Sequence, residues 1–254
     1  MAGSQRSVRD VLRAAGAPPQ LLLLPEGRDS LAGYHATHWA SREVLTTLCS
    51  VHRLEEGRGA AAEVALPAEP TVATAAGWRR LLVLDGVSDP GNVGALLRTA
   101  LGLGWDGAVL MQGCAAISNP KVFRAAGGVG LWMLPIISRA QHDTLEQLLA
   151  EGGHSLLVAD SHSEDLEKWM VGARKEAQHL SLARSVGIGS PSAGPASKIA
   201  LVLGSEANGV SDAVGAFPKA RCVGLPMQNG VDSLGVAQAG AIMLDRLSLV
   251  NMDP

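Results

Sequence analysis

Aromatic residues are scarce, with two Phe, one Tyr and five Trp making up 3% of 254 residues. In residues 1–80 neither a base-stacking platform nor a basic stripe is visible. Cysteine is scarcer still. Cys49, Cys114 and Cys222 lie far apart without C-x-x-C spacing, and three thiols cannot pair completely, which excludes a disulfide scaffold and leaves reduced, buried thiols as the expectation. Among seven histidines only His35 and His38 are close, with no cysteine or acidic residue at zinc-ligand spacing, so no metal site is expected. An excess of positive charge is also missing. Lys and Arg number 21 against 24 Asp and Glu, a net charge of -3, which excludes nucleic-acid binding by bulk electrostatics and restricts any such contact to a local patch. No apolar run reaches the ~18 residues of a membrane span, and the start MAGSQRSVRDVLRAAG lacks the apolar core of a signal peptide. A soluble intracellular protein is expected, in the cytoplasm or, given an Arg-bearing and Ala-rich start, in an organelle (mitochondrion or chloroplast).

What the chain does have is 47% hydrophobic residues and 30 glycines over a length that buries a core without staples, the composition of an α/β enzyme. Residues 1–66 read as a small α/β unit, with a helix from Ser7 to Ala15, a strand from Leu21 to Leu24, a helix from near Ser41 and a strand from Ala61 to Leu66. Residues 67–78 contain PAEPTVATAAG, with two prolines and no periodicity, and are expected to be a linker. From residue 79 to 254, short apolar runs alternate with helical patterns. The runs are Leu81–Leu84, Ala108–Met111, Met133–Ile137, Leu156–Ala159, Ile199–Leu203 and Arg221–Leu225. Continuous apolar strands separated by helices predict a mostly parallel sheet covered on both faces. The order breaks at 161–198, where a charged stretch runs into SVGIGSPSAGPAS, a tract expected to be a disordered insertion.

Three strand ends carry the candidate chemistry, since ligands of open parallel sheets gather at such ends. In DGVSDPGNVGALLR (Asp85–Arg98), Asn92 is placed to cap a helix on which Gly94 and Arg98 share a face, so a groove without side-chain bulk adjoins a guanidinium. A tight strand-to-helix turn with a surface arginine describes that segment equally well. In LVLGSEANGVS, Gly204, Glu206 and Gly209 form a Gly-flanked acidic turn whose bare backbone can read a ligand edge. In LPMQNGVDSLGVAQAGAIML, a polar loop leads to a small-residue helix with Ser233 as a plausible N-cap.

Taken together and in this order, the three segments resemble the SpoU (TrmH) RNA 2'-O-ribose methyltransferases of the SPOUT superfamily. N-x-G-x-x-x-R is met by Asn92, Gly94 and Arg98, and G-x-E-x-x-G by Gly204, Glu206 and Gly209. Pro226, Met227, Ser233, Leu234 and Val236 match the third motif, and Asn119–Gly130 is similar to an intermediate K-x-x-R-x-S-x-G segment with Ala126 in place of the serine. The resemblance covers about residues 79–249 apart from the insertion. It implies a C-terminal trefoil knot, a homodimer, RNA (rRNA or tRNA) as substrate and S-adenosylmethionine as cofactor. The cofactor would be held at Gly204, Leu225 and Leu234, with Leu203, Gly209 and Met227 beside them. Residues 1–66 resemble a ribosomal-protein-like RNA substrate-binding domain whose usual opening segment is missing, so an incomplete domain is expected.

The resemblance also assigns roles. Arg98 would activate the ribose 2'-hydroxyl. Because arginines, with pKa values above about 12, are weak bases, orientation and charge stabilisation are the expected contribution, with Asn92, Glu206 and Ser233 shaping the pocket. One departure stands out: the third motif ordinarily reads S-L-N-V, and Gly235 replaces its Asn. An amide donor and acceptor are lost, unless Gln228, Asn229 or Gln238 substitutes. The alternative is a catalytically inactive RNA-binding or assembly protein of the same fold. A dinucleotide fingerprint at Gly102–Gly107 is set aside because it precedes its strand instead of following it.

Overall fold

The computed structural model describes residues 2–3, 5–49, 59–128, 130–173, 175, 198–218 and 220–249. A four-stranded sheet at the N-terminus has the order β1-β6-β2-β5 and is built from β1 (Ala2–Gly3), β2 (Leu21–Pro25), β5 (His38–Ala40) and β6 (Ala60–Glu63). Between β2 and β5 lies the ribbon of β3 (Ser30–Leu31) and β4 (Tyr34–His35), and the helices are α1 (Gln5–Ala15) and α2 (Arg42–Cys49). Val8 and Leu12 of α1 pack with Leu22, Leu24 and Ala62 in a separate small core. Val11, on another face of α1, joins the main core instead.

The main sheet is parallel throughout and has six strands in the order β12-β10-β11-β7-β8-β9. These are β7 (Arg80–Asp85), β8 (Gly107–Met111), β9 (Ile136–Ala140), β10 (Ser155–Asp165), β11 (Ile199–Gly204) and β12 (Arg221–Gly224). Strand alternation divides their side chains between two apolar layers. Leu82, Leu84, Leu201 and Leu203 face one layer with α4 (Pro90–Gly102), α8 (166–173) and α10 (Val236–Ser248). Leu81, Val83, Ala200 and Val202 face the other with α7 (His142–Gly152). Burial of both faces is why these strands read as unbroken apolar runs.

Several local expectations are corrected. The stretch read as a linker contains α3 (Val72–Ala76), capped by Thr71, and its Ala75 is fully buried with Leu145 and Leu148 of α7. Asp89, not Asn92, caps α4, accepting from the Asn92 N–H at 2.8 Å, with Pro90 in the first turn. Gly235, not Ser233, is the N-cap of α10. Met133 ends the short helix α6 (Gly130–Met133), and its neighbouring strand begins at Ile136. Order does not fail at Ser161: β10 passes an irregularity after Ala159 and pairs again with β12 at Glu164 and Asp165. SVGIGSPSAGPAS lies outside the described residues.

Gly94 has a packing role. A Cβ there would lie 2.5 Å from the Val122 carbonyl oxygen and 2.6 Å from the Ala125 Cβ, both on α5 (Pro120–Ala125). The predicted groove beside Arg98 is therefore filled by α5.

Candidate functional site

From β7 the chain adds β8 and β9 outward on one side, then crosses to build β10, β11 and β12 on the other. In open parallel sheets ligands gather at the carboxyl ends of the strands, near such a reversal. A cavity of about 650 Å³ lies against the carboxyl ends of β10 and β11, the segment leaving β12 and the first turns of α10.

One wall is the turn that follows β11. Ser205 and Gly209 exchange backbone hydrogen bonds of 2.9 Å in both directions, and the Asn208 N–H donates to Ser205 Oγ at 3.2 Å. Gly209 takes φ +66°, a conformation that favours glycine. Gly204 is required for another reason, because a Cβ on it would lie 2.1 Å from the Gly209 carbonyl carbon and 2.2 Å from the Val210 nitrogen. Asp85, buried at the end of β7, ties the turn down by accepting from the Ser211 N–H at 2.7 Å. Glu206 projects from the turn and accepts a hydrogen bond from the Asn92 side-chain amide, joining the first and second motif segments.

The opposite wall is the segment from Leu225 through Met227 to Ser233, Leu234, Gly235 and Val236. Asn229 and Gly230 reverse the chain with φ +57° and +72°. Leu225 is buried, whereas Leu234 is exposed at the cavity edge. The lining is mostly apolar side chain and bare backbone. Its charged members are Asp160, Glu206 and Asp212, with no Lys or Arg among the described lining residues. An apolar cavity of this size with a few carboxylates suits a small organic ligand carrying positive charge. Among the described residues no group of three His, Cys, Asp or Glu side chains could hold a metal, and no helix is long and apolar enough to cross a membrane.

Eight of the ten predicted site residues line this one cavity: Leu203, Gly204, Glu206, Gly209, Leu225, Met227, Ser233 and Leu234. Asn92 joins them through Glu206. Arg98 does not. It is exposed on α4 outside the lining, its Nε 3.6 Å from where a Gly127 Cβ would be. Asp85, Asp160 and Ser161 were missed. Asp85 stood in the first segment but read only as a strand end, and the β10 pair fell where the apolar pattern fades. Outside the lining, Cys114 donates to the Leu84 carbonyl at 3.2 Å, and burial pushes its thiol pKa up, keeping it protonated and unreactive.

The model of the SpoU rRNA Methylase family matches residues 79–245. An uncharacterized tRNA/rRNA methyltransferase of Mycobacterium tuberculosis is 32% identical over 221 residues, 86% of this chain and 68% of that protein. The 23S rRNA guanosine 2'-O-methyltransferase RlmP of Bacillus subtilis is 39% identical over 84 residues, 33% of this chain and 32% of its own length. Among solved structures, the SpoU methyltransferase AviRb of Streptomyces viridochromogenes, in complex with AdoMet, superposes with a TM-score of 0.69. At 19% identity, covering 98% of this chain and 89% of that one, it shares the fold.

Proposed function

The chain belongs to the SpoU rRNA methylase family, and from that premise we propose that it methylates a ribose 2'-hydroxyl of rRNA or tRNA. S-adenosylmethionine, when bound, supplies an electrophilic methyl whose carbon–sulfur bond breaks as the ribose oxygen bonds to it, while the hydroxyl proton leaves to a base or to water. The observation that carries this reading is that two motif segments separated in sequence close on one cavity whose walls at Gly204, Gly209 and Gly235 are bare backbone. The residues fit the cofactor: Gly204 and Gly209 would offer peptide groups to a planar edge, Leu203, Leu225, Met227 and Leu234 would enclose an apolar body, and the carboxylates would favour a positive centre.

Glu206, held by Asn92, and Ser233 shape the side from which the nucleotide enters. Arg98 supplies the cation that the lining lacks, orienting the ribose–phosphate and offsetting charge that develops on the attacking oxygen. Because Arg98 stands outside its own cavity, we assign the working unit as a homodimer in which a second copy or the bound RNA brings guanidinium and cavity together. Residues 1–66, with their own small core, are assigned to RNA docking, and 79–254 to methyl transfer. The resemblance also implies a C-terminal trefoil knot, which would involve the segments after β11 and β12, where the chain leaving β11 passes β10 to pair with its outer edge.

Purified protein should transfer labelled methyl from S-adenosylmethionine to ribose in unmodified tRNA or rRNA transcripts. Arg98→Ala should lower kcat by about 10²–10³-fold with an unchanged circular dichroism spectrum. RNA binding without any 2'-O-methyl product would instead identify a non-catalytic relative.

A further inference from the structure

Gly235 lines the cavity as the N-cap of α10, yet nothing about its backbone calls for glycine. Its φ of -58° and ψ of 149° lie in extended backbone open to any residue. Nor is it packed against backbone, as Gly204 is. The atoms a Cβ at Gly235 would meet belong to one flexible side chain: Gln238 Oε1 at 2.6 Å and Gln238 Cδ at 3.7 Å. Gln238 is the third residue of α10, and from that position a side chain folds back over the N-cap. Its carboxamide thus occupies the volume in which a side chain at 235 would begin, and the two positions compete for one space.

A cap is the plain alternative, because glutamine at this position often accepts from the N-cap N–H. No such hydrogen bond forms here, and among the described residues the Gln238 amide has no hydrogen-bond partner. The group is exposed and lies outside the lining. It therefore flanks Gly235, a lining residue, from outside the lining, on the solvent side.

We propose that Gln238 is a positioning residue for the RNA nucleotide, its carboxamide taking the place of the amide that Gly235 lacks. This rests on the methyltransferase reading above. One amide offers both a donor and an acceptor, enough to fix a ribose hydroxyl and a neighbouring phosphate or base edge in line with the methyl.

The test compares Gln238→Met, which keeps length and helix propensity but removes the amide, with Gln238→Ala and the double variant Gly235→Asn/Gln238→Ala. Gln238→Met should lower kcat by roughly 10–100-fold, the scale of a misplaced reactant. Cofactor affinity, read by calorimetry, and Tm should not move. Restoring the amide from position 235 in the double variant should recover most of the turnover lost in Gln238→Ala. Wild-type kcat in Gln238→Met, or a double variant no better than Gln238→Ala, overturns the assignment while leaving the methyltransferase reading intact. A wild-type protein that methylates no RNA overturns both.

Discussion

A single methyl group added at Gly204 would sit 2.1 Å from the Gly209 carbonyl carbon, and a Cβ has no rotamer by which to escape. Gly204→Ala should therefore spread the Ser205–Gly209 turn, costing about 1–3 kcal/mol as overpacking and abolishing cofactor binding by calorimetry. Gly102→Ala is the contrast. Nothing lies within 4 Å of a Cβ there and its φ is not positive, so this helical substitution should gain ~0.5–1 kcal/mol in urea unfolding. His154 gives the fold a pH response. Its Nε2–H donates to the Trp78 carbonyl at 2.9 Å, Nδ1 is buried without a partner among the described residues, and burial lowers its pKa from the ordinary 6.5. The unfolded chain therefore takes up a proton near 6.5 that the folded chain refuses, and stability falls as pH drops through and below that value. Urea midpoints should decline on acidification past 6.5, and the decline should be shallower in His154→Gln, whose amide can still donate to Trp78. Sequence located Gly204 and Gly209 because a turn needs such residues locally. It could not locate Asp85 as their anchor, since the Ser211 N–H that binds it lies 126 residues downstream.

At the scale of elements, helix starts are written in short-range chemistry. Asp89 followed by Pro90 starts α4 and Asn119 followed by Pro120 starts α5, each with a side chain accepting from the first turn. Asp89→Ala should cost about 1 kcal/mol, a fall in Tm of about 2–4 °C for a chain of this size, measurable by calorimetry. Asn92 would then lose its backbone tether, so methyl transfer should weaken more than stability does. The element that escaped sequence reading is the far half of β10. Its residues Asp160–Asp165 (DSHSED) carry no apolar pattern, and they are strand only because the chain pairs again with β12 beyond the irregularity. Packing outside the local window likewise turns PTVATAAG into α3, since Ala75 finds a buried place beside α7. The parallel sheet was legible because its strands are apolar on both faces. The small domain's edge strands, two or three residues each, were not.

At the scale of the whole molecule, the cavity and Arg98 are separate features of one chain. If two copies complete each site, the protein should sediment at twice its 26.2 kDa chain mass, and dilution that yields monomers should reduce specific activity. The sheet order has a further consequence, one of timing. Strand β7 pairs with β11, from Arg80 opposite Ile199 to Asp85 opposite Gly204, so its partner is made more than a hundred residues later. At about 5–20 residues per second that edge waits roughly 6–24 s during synthesis. Leu81–Leu84, wholly buried in the finished protein, are the residues left waiting. Nascent chains arrested before β11 should be captured by chaperones, and release should follow once β11 has emerged, because an unpaired apolar strand edge is a template for aggregation. The pairing that places β7 at the centre of the folded sheet thus leaves the ribosome-bound chain with an exposed apolar edge until β11 is made.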